Sequence, residues 1–246
     1  MKPIWHYPAF IAHRGAGKFA PENTLAAFKL GYAHGYRMFE CDVKLSADGV
    51  AYLLHDATLE RTTSGAGSAA NWAWCGLAQL DAGAWHSAAY AGEPIPTLRN
   101  IAAFVRANDC LLNIEIKPIP GTEEYTGEVI ANLAAQLWAD AAVPPLLSSF
   151  SEAALAAAQR TQPALPRALL VDSIPLDYLE KLKRLGCSAL VAQVAHLHDA
   201  QVVAVKSAGY ALLCYTCNCP ERAAQLRALG VNGIITDALD TIKPLS

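Results

Sequence analysis

The feature that most constrains this chain is an alternation running from one end to the other: short apolar runs rich in Val, Ile, Leu and Ala are followed by longer segments of helical character. A strand covered on both faces reads as a continuous apolar run, so the pattern predicts a parallel α/β architecture. Strands are expected near 9–13 (AFIAH), 37–43 (RMFECDV), 111–116 (LLNIEI), 145–149 (PLLSS), 167–171 (RALLV), 188–192 (SALVA), 210–215 (YALLCY) and 233–236 (GIIT). Eight runs are what a closed barrel needs, and 246 residues suit one. The expectation is a (β/α)8 TIM barrel forming a single domain over residues 1–246.

Helices are expected at 24–34, 97–108, 123–139, 151–160, 177–185, 199–208 and 219–229. Asn23 and Thr24 are candidate N-caps, and Gly186, Gly209 and Gly230 are candidate C-terminal stops. Residues 44–96 break the alternation with GVAYLLHD, the turn-rich TTSGAGS, and NWAWCGLAQLDAGAWHSAAYAGEPIPTL. This stretch reads as an extension of the second strand followed by an insertion over one end of the barrel, a candidate lid or substrate wall.

Composition narrows the partners. With 53% hydrophobic and 17% charged residues and a net charge of −3, the chain belongs among globular proteins, and its basic residues are scattered rather than clustered. A nucleic-acid groove is not expected, and KLKR at 181–184 reads as a solvated helix face. Seven cysteines, an odd number, point to a reducing cytoplasm. Cys214 and Cys217 have metal-pair spacing but no second pair, and read as small apolar residues of a strand and loop. No stretch resembles a signal peptide or a membrane span, so a cytoplasmic location is expected.

In a barrel of this kind the reactive groups sit where strands end and the following loops begin. The first predicted strand runs into His13 and Arg14. The second carries Glu40 and Asp42, and alternation turns both carboxylates to one face while Cys41 turns to the other. Two carboxylates on one face repel each other, and a hard divalent ion with oxygen ligands relieves them. The third predicted strand ends NIEIKP, which places Glu115 and Lys117 on a common face. Glu40, Asp42 and Glu115 are thus candidate ligands for one divalent metal ion, Mg²⁺ or Ca²⁺ with Mn²⁺ as a further candidate. Arg14 and Lys117 are candidate contacts for an anion.

His55 ends another apolar run, AYLLHD. Two histidines beside a metal and basic groups suggest a general base and a general acid that cleave an ester of an anion, above all phosphate. The cations would stabilise a transition state more negative than the diester itself. Each residue alone has a plainer reading: a hydrogen-bonded structural histidine, a salt-bridged rim carboxylate, a Glu115–Lys117 pair. Their shared position on the first strands of one barrel is what favours a site.

At this point the residues resemble a family. AHRG with PENT, FECDVKLSADGVAYLLHD, LERTTSG, NIEIKP, LLSSF and the closing GVNGIITD occur in order and look like the glycerophosphodiester phosphodiesterase family. GKFAPENTLAAF, GEPIPTL and PPLLSSF are most similar to its short cytoplasmic bacterial members associated with glycerol-3-phosphate uptake. The resemblance implies a barrel with an insertion after the second strand. It also implies metal-dependent hydrolysis of small glycerophosphodiesters, such as glycerophosphocholine and glycerophosphoethanolamine, to sn-glycerol 3-phosphate and an alcohol. Carried over by position, His13 and His55 match the family's acid–base histidines, Glu40, Asp42 and Glu115 its metal ligands, and Arg14 and Lys117 its phosphate contacts. The implied mechanism has one histidine deprotonate the glycerol 2-hydroxyl for attack on phosphorus while the other protonates the alcohol, and water then opens a cyclic phosphate.

Glu22 and Asn23 lie in PENT, where Glu22 is a candidate support for a neighbour and Asn23 a candidate helix cap. Tyr215, at the end of the seventh predicted strand, stands where many relatives carry tryptophan and is a candidate aromatic wall for the glycerol. Trp72, Trp74 and Trp85 either touch a leaving group or anchor the insertion. Two other functions stay open on sequence alone: a phospholipase-D-like enzyme acting on lysolipids, and a phosphodiester-binding protein without turnover.

Overall fold

The computed structural model describes residues 5–244. Its strands, in chain order, are β1 (Phe10–Ala12), β2 (Met38–Leu45), β3 (Ala51–Leu53), β4 (Leu111–Ile116), β5 (Leu146–Ser149), β6 (Arg167–Val171), β7 (Ala189–Gln193), β8 (Ala211–Tyr215) and β9 (Gly233–Thr236). All but β3 pair in parallel with their neighbours in the ring, and the β1–β2 and β1–β9 pairings close it into a barrel. The eight barrel strands coincide with the eight apolar runs of the sequence. β5 begins at Leu146 rather than at Pro145, because proline has no N–H to give to a ladder.

The helices are α1 (Leu25–Ala33), α2 (Trp74–Leu77), α3 (Leu98–Ala107), α4 (Glu123–Leu137), α5 (Glu152–Thr161), α6 (Tyr178–Arg184), α7 (Asp199–Ser207) and α8 (Pro220–Ala228). Thr24 caps α1, its side chain accepting from the Ala27 N–H, so the cap is Thr24 and not Asn23. Asn23 is drawn away by a different partner described below. Gly186, Gly209 and Gly230 follow α6, α7 and α8 with positive φ, as helix stops do.

The period of two along each strand sorts side chains into the lumen and the helix-facing layer. Ile11, Met38, Leu146, Leu170, Val191, Leu213 and Ile235 fill the lumen, and each contributes about 1.5–3 kcal/mol by burial. The residues between them, such as Phe39, Cys41, Val43, Ile114 and Leu147, pack outward against α1, α3 and α4. Cys214 and Cys217 lie in the other outward cluster, which agrees with their reading as small apolar residues.

Beyond the barrel rim, β2 runs on to Leu45 and turns back through β3, which pairs with it antiparallel. The hairpin returns the chain toward the rim, where Leu54 N–H donates to Asp42 O. The remainder of the insertion gathers around its own apolar cluster of Tyr52, Leu54, Leu59, Leu77 and Ile95. Trp72 and Trp74 pack against that cluster, and Trp85 donates its Nε1–H to Ala82 O. These contacts are those of anchors. No helix among the described residues is long and apolar enough to cross a membrane.

Candidate active site

The site is assembled at the carboxyl ends of β1, β2, β4 and β9 and at the return of the β2–β3 hairpin. Glu40 and Asp42 face the lumen from β2, and the register sets Glu40 beside Asn113 and Asp42 beside Glu115 on β4. The oxygens of Glu40, Asp42 and Glu115 can lie within 4.8 Å of one another, the one such grouping among the described residues. Beside them Asn113 and Ser148 are buried, and Asn113 Oδ1, Ser148 Oγ and Glu40 Oε1 have no protein partner. Buried carboxylates this close, with an orphaned oxygen turned among them, fit a hard divalent cation.

Charge is distributed unevenly over the three acids. Burial raises the Glu40 pKa and the neighbouring Asp42 raises it further. Burial and Asp42 likewise raise Glu115, against the pull of Lys117. At Asp42 burial acts upward too, but Arg14 and Lys117 outweigh it and hold this carboxyl below its ordinary range. Arg14 Nε stands 3.2 Å from Asp42 Oδ2, while Lys117 Nζ stands 3.4 Å from Asp42 Oδ1 and 2.8 Å from Glu115 Oε1. Asn23 completes the setting, donating Nδ2–H to Asp42 Oδ2 at 2.8 Å and accepting the Asp42 backbone N–H at 3.1 Å. These two bonds to Asp42 explain why Asn23 does not cap α1.

His13 follows β1 directly. Its Nδ1 lies 2.7 Å from Asp237 Oδ1, and its Nε2 lies 3.8 Å from Glu40 Oε2. Asp237 follows β9 and is fixed by Asn218, whose Nδ2–H donates to Asp237 Oδ2 and whose Oδ1 accepts the Asp237 N–H. Gly17 permits the close approach of the two loops. A Cβ there would stand 2.2 Å from Asp237 Cα, and its φ of +55° belongs to the left-handed region. Burial works against charge on His13, but Asp237 and then Glu40 outweigh it and raise its pKa.

Arg14 has φ 51°, a left-handed conformation rare outside glycine. The turn aims its backbone N–H at Glu40 Oε2, 3.1 Å away, and sends its side chain to Glu22 Oε1 at 2.7 Å. Glu22 in turn accepts from Arg61 at 2.7 and 2.8 Å. Arg61 also grips Asp56, with Nε 2.5 Å from Oδ2 and Nη2 3.0 Å from Oδ1. Asp56 Oδ1 lies 2.7 Å from His55 Nδ1. A continuous network therefore runs from His55 through Asp56, Arg61 and Glu22 to Arg14 and Asp42. His55 moves opposite to His13: burial and Arg14 lower its pKa despite Asp42 and Asp56.

His13, Arg14, Glu22, Glu40, Asp42, His55, Glu115, Lys117 and Tyr215, singled out in the sequence, fall at this mouth or beside it, whereas Trp72, Trp74 and Trp85 anchor the insertion. Tyr215 ends β8, its hydroxyl donating to Asp172 Oδ1 at 3.0 Å, and its ring meets Phe150 edge-on at 6.0 Å. The sequence reading missed Asp56, Arg61, Asp237, Asn218 and Lys44. Asp56, Arg61 and Asp237 lie in LLHD, LERTTSG and GIITD, so their signal was membership of those motifs. Lys44, the next lumen-facing position of β2 after Asp42, is only 6% exposed.

A barrel whose strand ends gather three buried acids, two carboxylate-held imidazoles and several cations has the equipment of an enzyme that handles phosphate esters. Comparison with known proteins specifies the class. Residues 13–241 match the model of the glycerophosphoryl diester phosphodiesterase family, and the chain belongs to that family. A glycerophosphodiester phosphodiesterase of Caldanaerobacter subterraneus subsp. tengcongensis is 32% identical over 238 residues, covering 94% of this chain and 95% of that one. An Oleispira antarctica phosphodiesterase, solved in complex with the product sn-glycerol 3-phosphate, superposes with a TM-score of 0.89 at 35% identity, covering 94% of each chain. The glycerophosphodiester phosphodiesterase of Agrobacterium tumefaciens C58 gives 0.78 at 27% identity, covering 95% of this chain and 98% of that one.

Proposed function

We propose that the protein hydrolyses small glycerophosphodiesters to sn-glycerol 3-phosphate and an alcohol, with the barrel and its insertion acting as one domain. The observation that carries this reading is the pair of histidine–carboxylate couples, His13–Asp237 and His55–Asp56, at the mouth that holds the three acids. The product bound to the Oleispira phosphodiesterase supports the choice of substrate.

Each aspartate, accepting from Nδ1–H, leaves the Nε2 of its histidine as the nitrogen that exchanges a proton with substrate. One imidazole takes the proton of the glycerol 2-hydroxyl, whose oxygen then attacks phosphorus. The other gives a proton to the departing alcohol oxygen. The resulting five-membered cyclic glycerol phosphate is opened by water with the two roles exchanged, which restores both imidazoles. Arg14 and Lys117 stabilise the charge that grows on the non-bridging oxygens. Glu40, Asp42 and Glu115 would hold a divalent ion, Mg²⁺, Ca²⁺ or Mn²⁺, that supplies further electrostatic stabilisation of the phosphoryl group. Seven free cysteines agree with work in a reducing cytoplasm.

His13→Ala and His55→Ala should each lower turnover of glycerophosphocholine by about 100-fold or more while leaving the unfolding midpoint near that of the parent. Phosphorus NMR of the reaction should show glycerol 3-phosphate as the product. Substantial turnover by either variant, or phosphocholine as the product, would contradict the assignment.

A further inference from the structure

Lys44 is a buried cation that the mechanism above does not use. The lumen-facing positions of β2 run Met38, Glu40, Asp42, Lys44, and those of β4 run Leu111, Asn113, Glu115, with Lys117 next. The register pairs Asp42 with Glu115 and Val43 with Ile116, and the Lys117 N–H donates to Val43 O at 2.9 Å. One step further toward the mouth, Lys44 and Lys117 stand on neighbouring strand ends. The backbone positions of the two lysines thus lie roughly 6.6 Å along the strands beyond those of Asp42 and Glu115.

The two lysines are not equivalent. Lys117 is answered by Glu115 at 2.8 Å and Asp42 at 3.4 Å. Lys44 is 6% exposed, and its side chain makes no hydrogen bond or ion pair with any described residue. The charges that act on it belong to the mouth: Lys117 repels it, and Asp42, Glu115 and Asp56 attract it from beyond ion-pair distance. An ammonium on a largely buried side chain, next to a second ammonium and with no ion-pair partner of its own, weakens the fold. An anion bound between them removes that penalty, most completely when it carries two charges, as the transition state and the product do.

We propose that Lys44 is a third cationic contact for the phosphoryl group, its Nζ–H donating to a non-bridging oxygen of the bound diester and of the glycerol 3-phosphate product. The identity of the ligand rests on the function proposed above. The contact with phosphoryl oxygen rests on the β2–β4 register and on the burial of Lys44.

The test titrates sn-glycerol 3-phosphate into the parent protein, Lys44→Met and Lys44→Arg by calorimetry in millimolar Mg²⁺, and measures their thermal unfolding without ligand. Lys44→Met should bind the product about 10- to 100-fold more weakly, and Lys44→Arg should recover most of that loss. The methionine variant should melt at or above the parent temperature, since an apolar chain of similar length replaces an unpaired charge. With glycerophosphocholine and glycerophosphoethanolamine its kcat/KM should fall by the same factor. Unchanged product affinity would overturn the proposal, as would a loss confined to one leaving alcohol, or a methionine variant that melts well below the parent. If the parent binds glycerol 3-phosphate yet cleaves neither diester, the proposed function fails while the methionine and arginine variants still decide the role of Lys44. A parent that does not bind glycerol 3-phosphate would overturn both.

Discussion

At the scale of single residues, the site concentrates acids where water is excluded. Glu40 and Glu115 are held more protonated in the folded chain than in the unfolded one, because burial and Asp42 both disfavour their charge. A group whose native pKa is raised binds more protons folded than unfolded, so its contribution to stability falls as pH rises. For Glu40, pushed up to about 8 from 4.5, the loss spreads over that interval. Asp42 has the opposite sign, but its loss lies at acid pH, because Arg14 and Lys117 depress its pKa. A divalent ion binds the deprotonated acids and so turns the effect of pH at Glu40 and Glu115 the other way. Added Mg²⁺ should therefore raise the unfolding midpoint more at pH 8 than at pH 5, as read by calorimetry. Equal shifts at both pH values would remove the three acids as the ion's ligands. The parity rule made these acids legible in the sequence, since Glu40 and Asp42 are two apart on one strand. Asp237 was not legible as a partner, because it meets His13 across 224 positions of chain.

At the scale of elements, two loops that share no sequence neighbourhood are joined by one guanidinium. Arg61 comes from the insertion that follows β3, and Glu22 from the loop that follows β1, 39 positions earlier. Bidentate contacts from Arg to each carboxylate fix planes as well as distances, so Arg61 orients Asp56 against His55 and Glu22 against Arg14 together. Arg61→Lys cannot reproduce both forks. It should lower kcat by about 10-fold or more with KM and the unfolding midpoint changed little, because the Arg61 side chain is 44% exposed. Retained kcat would show that Asp56 holds His55 without the clamp. The barrel elements themselves were readable, since continuous apolar runs match the β-strands within a residue or two. The insertion was readable only as a break in the pattern. Its β3 is short and its cluster draws on scattered Tyr52, Leu59, Leu77 and Ile95, a spacing with no period to detect.

At the scale of the whole molecule, the barrel gathers on one rim residues that lie up to 224 positions apart in the chain, and the lumen below them is apolar. The low dielectric of that floor strengthens every charge interaction at the mouth, which suits a reaction whose barrier is electrostatic. The alternation of the sequence was enough to expect the barrel, whereas the His13–Asp237 couple required closure of the ring, because β1 meets β9 only when the sheet returns on itself. The reaction proposed for this rim is metal-assisted cleavage of glycerophosphodiesters. Its most direct test is release of sn-glycerol 3-phosphate from glycerophosphocholine by the purified protein, before chelation, after it, and after return of Mg²⁺, Ca²⁺ or Mn²⁺. Chelation should abolish release and at least one of these ions should restore it; release indifferent to chelation, or none with any ion, would rule out metal-assisted cleavage of these diesters.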